Sequence, residues 1–104
     1  MNIDELADNL GLEKDEYLEL IELFIETGMS DINKLRFAVD EVNAENAANA
    51  LHSIKGAAGN LGLTEIYELA KMVEKTCRDG MLDNVPESVQ ELEKSLDKVK
   101  ELVG

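Results

Sequence analysis

The only histidine of the chain, His52, lies in a segment whose composition departs from that of an ordinary helix. Gly56 and Gly59 fall inside what the apolar pattern predicts to be one continuous helix, where each glycine costs about 1 kcal/mol relative to alanine. Lys55, Gly56 and Gly59 follow the histidine at i+3, i+4 and i+7, which places them on the same helix face. A nucleophilic imidazole needs an exposed nitrogen, a nearby cation and room for a partner to approach. This face supplies all three.

A second polar stripe lies on the next predicted helix. Its spacings are four, three and four, and its members are Tyr67, Lys71, Glu74 and Arg78. If the two helices pack as an antiparallel hairpin, Glu74 can accept a hydrogen bond from one ring nitrogen of His52 and leave the other free to attack. The alternative is an exposed Glu74 paired with Arg78 at i+4. The two arrangements can hold together, and the sequence leaves them equally open.

Each of these features also has a purely structural interpretation. A lone histidine is more often a solvated or partly buried side chain than a nucleophile, and the two glycines would also permit a tight helix crossing. Cys77 with His52 is a further candidate pair for catalysis, but Cys77 falls on an apolar face and is predicted to be a small core residue. The combination of His52, Lys55 and the glycines on one face favours the chemical interpretation.

The charge of the chain argues against several classes of partner. Its 104 residues include 23 acidic and 10 basic side chains, a formal net charge of -13 at pH 7. Nucleic acid and anionic membrane surfaces are disfavoured, because binding to them needs a basic footprint. One cysteine cannot form an internal disulfide, and one histidine excludes multi-histidine metal sites. Since no stretch reaches the roughly 18 apolar residues of a membrane span, we expect a cytoplasmic protein without a metal or cofactor of its own.

The charge is unevenly distributed along the sequence. Residues 52–78 contain four basic and three acidic side chains, a net +1, whereas the rest of the chain has 6 basic and 20 acidic side chains, a net -14. An acidic body therefore carries one locally basic region, and that region holds the histidine.

Helical periodicity runs through the whole chain, and no window shows the period-two alternation of a strand. We predict a single all-α domain, residues 1–104, folded as an up-and-down antiparallel four-helix bundle with a short accessory N-terminal helix. Glycines and capping residues predict the helix ends. The first predicted helix covers residues 2–9 and is terminated by Gly11, and the second covers residues 14–27 and is terminated by Gly28. The predicted N-caps of the next three helices are Ser30, Asn43 and Thr64, and a loop with Asn84 and Pro86 precedes the last helix.

The run HSIKG at residues 52–56, with Gly62 ten residues after the histidine, resembles the H-x-x-K-G-x-x-x-x-x-G signature of histidine-containing phosphotransfer (HPt) domains. The similarity extends through residues 70–74 and, in helix order, over essentially the whole chain. The resemblance implies a four-helix bundle with accessory helices, in agreement with the periodicity. Phosphoacceptor domains of chemotaxis-type histidine kinases share the HSIKG run, so such a domain is an alternative.

The resemblance implies a role for each matching residue. His52 is the phosphoacceptor, Lys55 is the adjoining cation, and Gly56 is the small residue that lets a partner reach the imidazole. Glu74 occupies a position where the family often has Gln or Glu hydrogen-bonded to the ring, and Arg78 a position where basic side chains occur near the phosphoryl group.

A partner is expected to dock on an exposed patch around the histidine. Leu6 or Leu10 of the first helix are further candidates for this patch, although both are equally good core residues. The predicted docking residues are Gly56, Gly59, Leu63, Lys71 and Arg78.

The chemistry implied by the resemblance is reversible phosphoryl transfer between His52 and the aspartyl phosphate of a response-regulator receiver domain. Such transfer depends on in-line positioning and charge stabilisation. The receiver would bring its aspartate and Mg²⁺, so we expect a monomeric phosphocarrier of a two-component phosphorelay rather than an enzyme, with receiver domains and hybrid histidine kinases as partners. The chain has no kinase or ATP-binding segment and is not expected to phosphorylate itself. A non-catalytic helical adapter that binds through the same face is the alternative from another class.

Overall fold

The computed structural model describes residues 2–103, so Met1 and Gly104, the two ends of the predicted domain, lie outside the described residues. This part of the chain forms five α-helices and no strand, which confirms the all-helical prediction. Helix α2 packs against α3 and α5, α4 packs against the same two helices, and the short α1 contacts α2. The helices are α1 (Ile3–Asn9), α2 (Lys14–Asp40), α3 (Ala44–Asn60), α4 (Thr64–Arg78) and α5 (Val85–Val103).

Helix α2 is one helix of 27 residues where the sequence predicts two. Gly28 and Ser30 lie in its interior, so the predicted helix end at Gly28 and the predicted N-cap at Ser30 are wrong. The reason is the unbroken row of buried side chains, because burial of this row against α3 and α5 outweighs the roughly 1 kcal/mol cost of one interior glycine. The buried positions of α2 are Tyr17, Ile21, Phe24, Gly28, Ile32, Leu35 and Ala38.

Four helices end in the same backbone motif. After α1, α2, α3 and α4, the chain adopts a positive φ and two N–H groups bond back to the last carbonyls of the helix, which is the Schellman arrangement. Gly11, Gly62 and Gly80 hold this position with φ of +70°, +74° and +82°. At the end of α2 it is held by Val42 with φ +52°, an uncommon conformation for a β-branched residue. The Gly11 prediction is confirmed.

The predicted start of α2 at residue 14 agrees with the structure, and α1 begins at Ile3, one residue later than predicted. Of the other starts, one agrees with the sequence and two differ. Asn43 caps α3 as predicted, because its side-chain oxygen accepts the N–H of Asn46 at 2.9 Å. Thr64 is not an N-cap but the first residue of α4, and the N-cap position belongs to Leu63, which makes no side-chain cap bond. Pro86 is the second residue of α5 rather than part of the loop, which is allowed because the first turn of a helix leaves its N–H groups unpaired.

A buried hydrogen bond fixes the C-terminal end of α3. The hydroxyl of Tyr17 on α2 donates to the main-chain carbonyl of Leu61 at 2.5 Å, and burial raises the pKa of this tyrosine. The bond satisfies a carbonyl that the helix end would otherwise leave without a partner. Among the described helices, none combines the length and the apolar character that a membrane crossing requires.

Gly28→Ala is expected to raise the free energy of unfolding by roughly 0.5–1 kcal/mol, because alanine loses less conformational entropy in a helix than glycine. The added methyl group would lie 3.5 Å from a side-chain carbon of Leu96, an ordinary contact distance. Gly80→Ala is the matched control, since its methyl group meets nothing within 4 Å but its φ of +82° makes the same change destabilising. Urea denaturation followed by circular dichroism measures both, and a loss of stability in Gly28→Ala would contradict the expectation.

Candidate functional site

Helix α3 presents His52 to solvent from its middle. The inward positions on the same helix, including Ala47, Ala48 and Ala58, are fully buried, and their small size lets α2 and α4 approach closely. The His52 side chain is 66% exposed, whereas that of Lys55, one turn further along, is only 24% exposed. The exposed histidine and the half-buried lysine therefore share one face of α3, as the spacing predicts.

Glu74 of α4 lies under the imidazole. It is 8% exposed, and it is the only carboxylate among the buried side chains of residues 2–103. One carboxylate oxygen, Oε1, lies 2.7 Å from Nζ of Lys55. The other, Oε2, lies 3.2 Å from Nδ1 of His52 and 3.2 Å from a guanidinium nitrogen of Arg78. The structure thus combines both arrangements that the sequence leaves open, except that Glu74 is buried rather than exposed.

The charge state of Glu74 determines which ring nitrogen of His52 is free. Burial alone would raise the pKa of Glu74, but the hydrogen bonds from Lys55 and Arg78 outweigh it, so this pKa lies below its ordinary value of 4.5. An ionised carboxylate can only accept hydrogen bonds, which assigns the proton of the ring to Nδ1. Nε2 then keeps its lone pair on a side chain open to solvent, as a nucleophile requires.

Two further side-chain hydrogen bonds link α3 to its neighbouring helices. The Asn49 side-chain oxygen accepts from Arg78 at 3.5 Å, which links α3 to α4. The Ser53 hydroxyl donates to a carboxylate oxygen of Asp31 at 2.7 Å, which links α3 to α2. The sequence does not predict a role for Asn49 or Asp31. The available signal for Asn49 is its place one turn before His52 in an alanine-rich segment, whereas nothing in the local sequence marks Asp31.

The two glycines of the predicted face differ in their surroundings. A Cβ added at Gly56 would meet nothing within 4 Å, so Gly56 leaves bare backbone open to solvent beside His52. A Cβ at Gly59 would lie 3.1 Å from the ring of Tyr67 on α4, closer than side chains normally approach. Gly59 therefore has the structural role of letting α4 pack closely, and Gly56 has no such role.

One of the predicted docking residues does not lie on the surface. Leu63 is 3% exposed and belongs to the core, so its placement in an exposed patch is wrong. It turns inward because its N–H donates to the carbonyl of Ala58, one of the hydrogen bonds that end α3. On α1, Leu6 is half-buried beside the α3–α4 turn, whereas Leu10 is exposed. Lys71 and Arg78 are exposed on α4.

Cys77 has no place in the site. Its side chain is buried in the core, and burial raises the pKa of its thiol, which keeps the sulfur neutral and a poor nucleophile. This placement agrees with the core role that the apolar pattern predicts. Within residues 2–103, no three His, Cys, Asp or Glu side chains come together in a way that could hold a metal ion.

Glu74→Ala is expected to release the ring proton from Nδ1, because it removes the carboxylate that accepts it. The side-chain ¹⁵N resonances of His52 report the tautomer, and the presence of one histidine makes their assignment direct. Glu74→Gln is the control, since its amide oxygen can still accept from Nδ1 and preserve the tautomer. Unchanged ring resonances in Glu74→Ala would show that Glu74 does not orient the imidazole.

The lowered pKa of Glu74 makes a defined contribution to the pH dependence of stability. Because the unfolded chain binds a proton at this group more readily than the folded chain, the contribution is full above the unfolded pKa and disappears as the pH falls through the folded pKa. The difference in unfolding free energy between wild type and Glu74→Gln should therefore be constant above about pH 5.5 and shrink below about pH 4.5. Urea denaturation across this range measures it, and a difference independent of pH would contradict the assignment.

Comparison with known proteins gives one sequence family and one solved structure. The crystal structure of histidine-containing phosphotransfer protein B (HptB) from Pseudomonas aeruginosa PAO1 superposes with a TM-score of 0.86 at 24% sequence identity, over 99% of this chain and 90% of that one. This likeness shows a shared fold. A comparison with curated protein sequences gives no match.

The sequence model described as Hpt domain matches residues 19–102, which include α3, α4 and every residue that surrounds Glu74. The resemblance drawn from the HSIKG run is thereby confirmed. Since the match extends over far more than half of the 104 residues, the chain belongs to the Hpt domain family.

Proposed function

We propose that this chain is a phosphocarrier of a two-component phosphorelay, in which His52 accepts a phosphoryl group from one response-regulator receiver domain and donates it to another. The observation that carries the proposal is the hydrogen bond between Nδ1 of His52 and the buried carboxylate of Glu74. It leaves Nε2 free on an exposed ring, within the segment that matches the family.

The transfer step follows from this geometry. The lone pair of Nε2 attacks phosphorus as the bond between phosphorus and the aspartate oxygen of the receiver breaks, and the aspartate leaves as a carboxylate. Nδ1 keeps its proton, so the phosphorylated ring is formally cationic, and the negative charge of Glu74 stabilises it. Return transfer to an aspartate reverses the same steps.

The surrounding residues supply charge and access. Lys55 and Arg78 both bond to Glu74 and lie beside His52, where they can offset the charge of the arriving phosphoryl group. Gly56 leaves the approach to the ring open, and Gly59 and Lys71 border the same surface. Leu63 has no part in this docking surface, because it is buried.

The proposed architecture is a single domain in which α2 to α5 form an up-and-down antiparallel four-helix bundle and α1 is the accessory helix. The contacts of α2 and α4 with both α3 and α5 support this arrangement. We further propose a monomer that works in the cytoplasm with receiver domains and hybrid histidine kinases. It has no cofactor of its own, and the receiver provides the Mg²⁺. It is a carrier rather than an enzyme, since the reaction needs groups from both proteins.

Incubation with a receiver domain carrying a radiolabelled aspartyl phosphate should label the wild-type chain, with the acid-labile and alkali-stable behaviour of phosphohistidine. His52→Gln should take up no label, because the side-chain amide has no nucleophilic nitrogen. Glu74→Ala should slow the transfer, since the ring loses its fixed tautomer. The rate of label transfer, read from gels over time, is the measurement.

Ser53→Ala is the matched control, because it removes the hydroxyl next to His52 while leaving the imidazole in place. It should be labelled like wild type. Label retained undiminished in His52→Gln would refute the proposal. Partner binding by the wild-type chain without any labelling would instead support a helical adapter.

A further inference from the structure

A groove between α3 and α4, next to His52, is positively charged on an otherwise acidic protein. Four cations and two carboxylates line it, together with one methionine, so its net charge is +2 on a chain with a net charge of -13. Lys55 and Arg78 at one side of the groove are the cations that bind Glu74. Lys71 and Lys75 contribute the other two positive charges.

The two pairs of cations are used differently. Both oxygens of Glu74 are occupied by Lys55, Arg78 and His52. Lys71 and Lys75 are exposed, lie one turn apart on α4, and form no ion pair within residues 2–103. The Lys71 ammonium lies 5.9 Å from the centre of the Tyr67 ring, which is also on α4. Neither lysine bonds to Glu74, so the phosphoryl-accepting cluster leaves both of them unused.

An apolar side chain accompanies the two lysines. Met72 lines the same groove and is 61% exposed, among the larger exposures of an apolar side chain in the described part of the chain. Methionine is enriched in protein interfaces, whose apolar core is surrounded by a polar, solvent-accessible rim. We define Lys71, Met72 and Lys75 as the α4 lysine patch.

We propose that the α4 lysine patch is a docking surface for an acidic face of the partner receiver domain, which it attracts and orients before transfer. This inference rests on the proposed function. A receiver that binds Mg²⁺ beside its phosphorylated aspartate must gather carboxylates there, because Mg²⁺ takes oxygen ligands. Such a surface is repelled by most of this chain and attracted only where positive charge is concentrated next to His52.

The patch acts on encounter rather than on the chemical step. Long-range attraction raises the association rate and is screened by salt, while it contributes little once the proteins are in contact. Lys55 and Glu74, in contrast, act on the ring itself. Substitutions in the patch should therefore change the second-order rate of transfer but not the rate at saturating receiver. This difference distinguishes the patch from the transfer site.

The test uses two double variants with the same change in charge. Lys71→Glu with Lys75→Glu reverses the charge of the patch. Lys94→Glu with Lys98→Glu is the matched control, because these lysines are exposed, have the same four-residue spacing on α5, and form no ion pair within residues 2–103. Transfer from a radiolabelled receiver domain is measured at several receiver concentrations, at ionic strengths of about 10 mM and about 1 M, where the Debye lengths are about 30 Å and about 3 Å.

At low ionic strength, reversal of the patch should lower the second-order transfer rate about tenfold or more, and the α5 control should lower it by less than about threefold. The rate at saturating receiver should stay within about twofold of wild type in both variants, and the difference between the variants should disappear at high ionic strength. Equal losses in the two variants would show an effect of net charge alone. A loss confined to the saturated rate would show a role in the chemical step. Either result overturns the proposal.

Failure of the proposed function is detected separately. If the wild-type chain takes no label, that function fails, and docking is still measured by fluorescence anisotropy with the unphosphorylated receiver domain. In that measurement, the Lys71→Glu, Lys75→Glu variant should bind the receiver more weakly than wild type at low salt but not at high salt, and the α5 control should bind like wild type. This result supports an acidic protein face as the occupant. If a double-stranded DNA oligonucleotide competes for the patch as effectively as the receiver itself, the patch is a general polyanion site and the proposal is overturned.

Discussion

Ionisation of a buried carboxylate is the constraint on which the site is built. The charged carboxylate of Glu74 is buried in the contact between α3 and α4, where burial of an unpaired ion costs several kcal/mol. Hydrogen bonds from Lys55, Arg78 and His52 offset that cost and use both carboxylate oxygens, so the carboxylate has one orientation. The same bonds that keep Glu74 ionised therefore fix the imidazole, and one electrostatic requirement sets both the stability of this surface and the orientation of the ring.

The rest of the fold holds the two helices at the separation that this cluster needs. Buried alanines on α3 and the close approach of Gly59 to Tyr67 bring the axes of α3 and α4 together. The hydroxyl of Tyr17 holds the far end of α3 through the carbonyl of Leu61. Because His52 lies on α3 and its hydrogen-bond partner Glu74 lies on α4, the packing of the two helices holds the imidazole in one orientation. The exposed lysines on α4 form no bond to Glu74 and leave that arrangement undisturbed.

Helical periodicity made much of this site predictable, because His52, Lys55 and Glu74 occupy faces that a 3.6-residue repeat defines and one hairpin brings together. Its limits are equally physical. Gly28 is a poor helix residue locally, yet buried residues before and after it in the sequence keep α2 continuous. The energy of this tertiary packing cannot be inferred from a short stretch of sequence. Leu63 lies in a turn, where no repeat says which way a side chain points. The contact of Asp31 with Ser53 joins residues 22 positions apart and depends on how α2 and α3 align.

The length of α2 has a consequence for how the domain can be joined to others. The molecule measures 42 × 22 × 17 Å, and α2 runs along nearly the whole of its long dimension. His52 is at the centre of α3, about 12 Å along the helix from each end, so it opens on the flank of the rod rather than at a tip. A partner that approaches side-on leaves both tips clear. A tether at either tip of the rod therefore leaves the imidazole unobstructed.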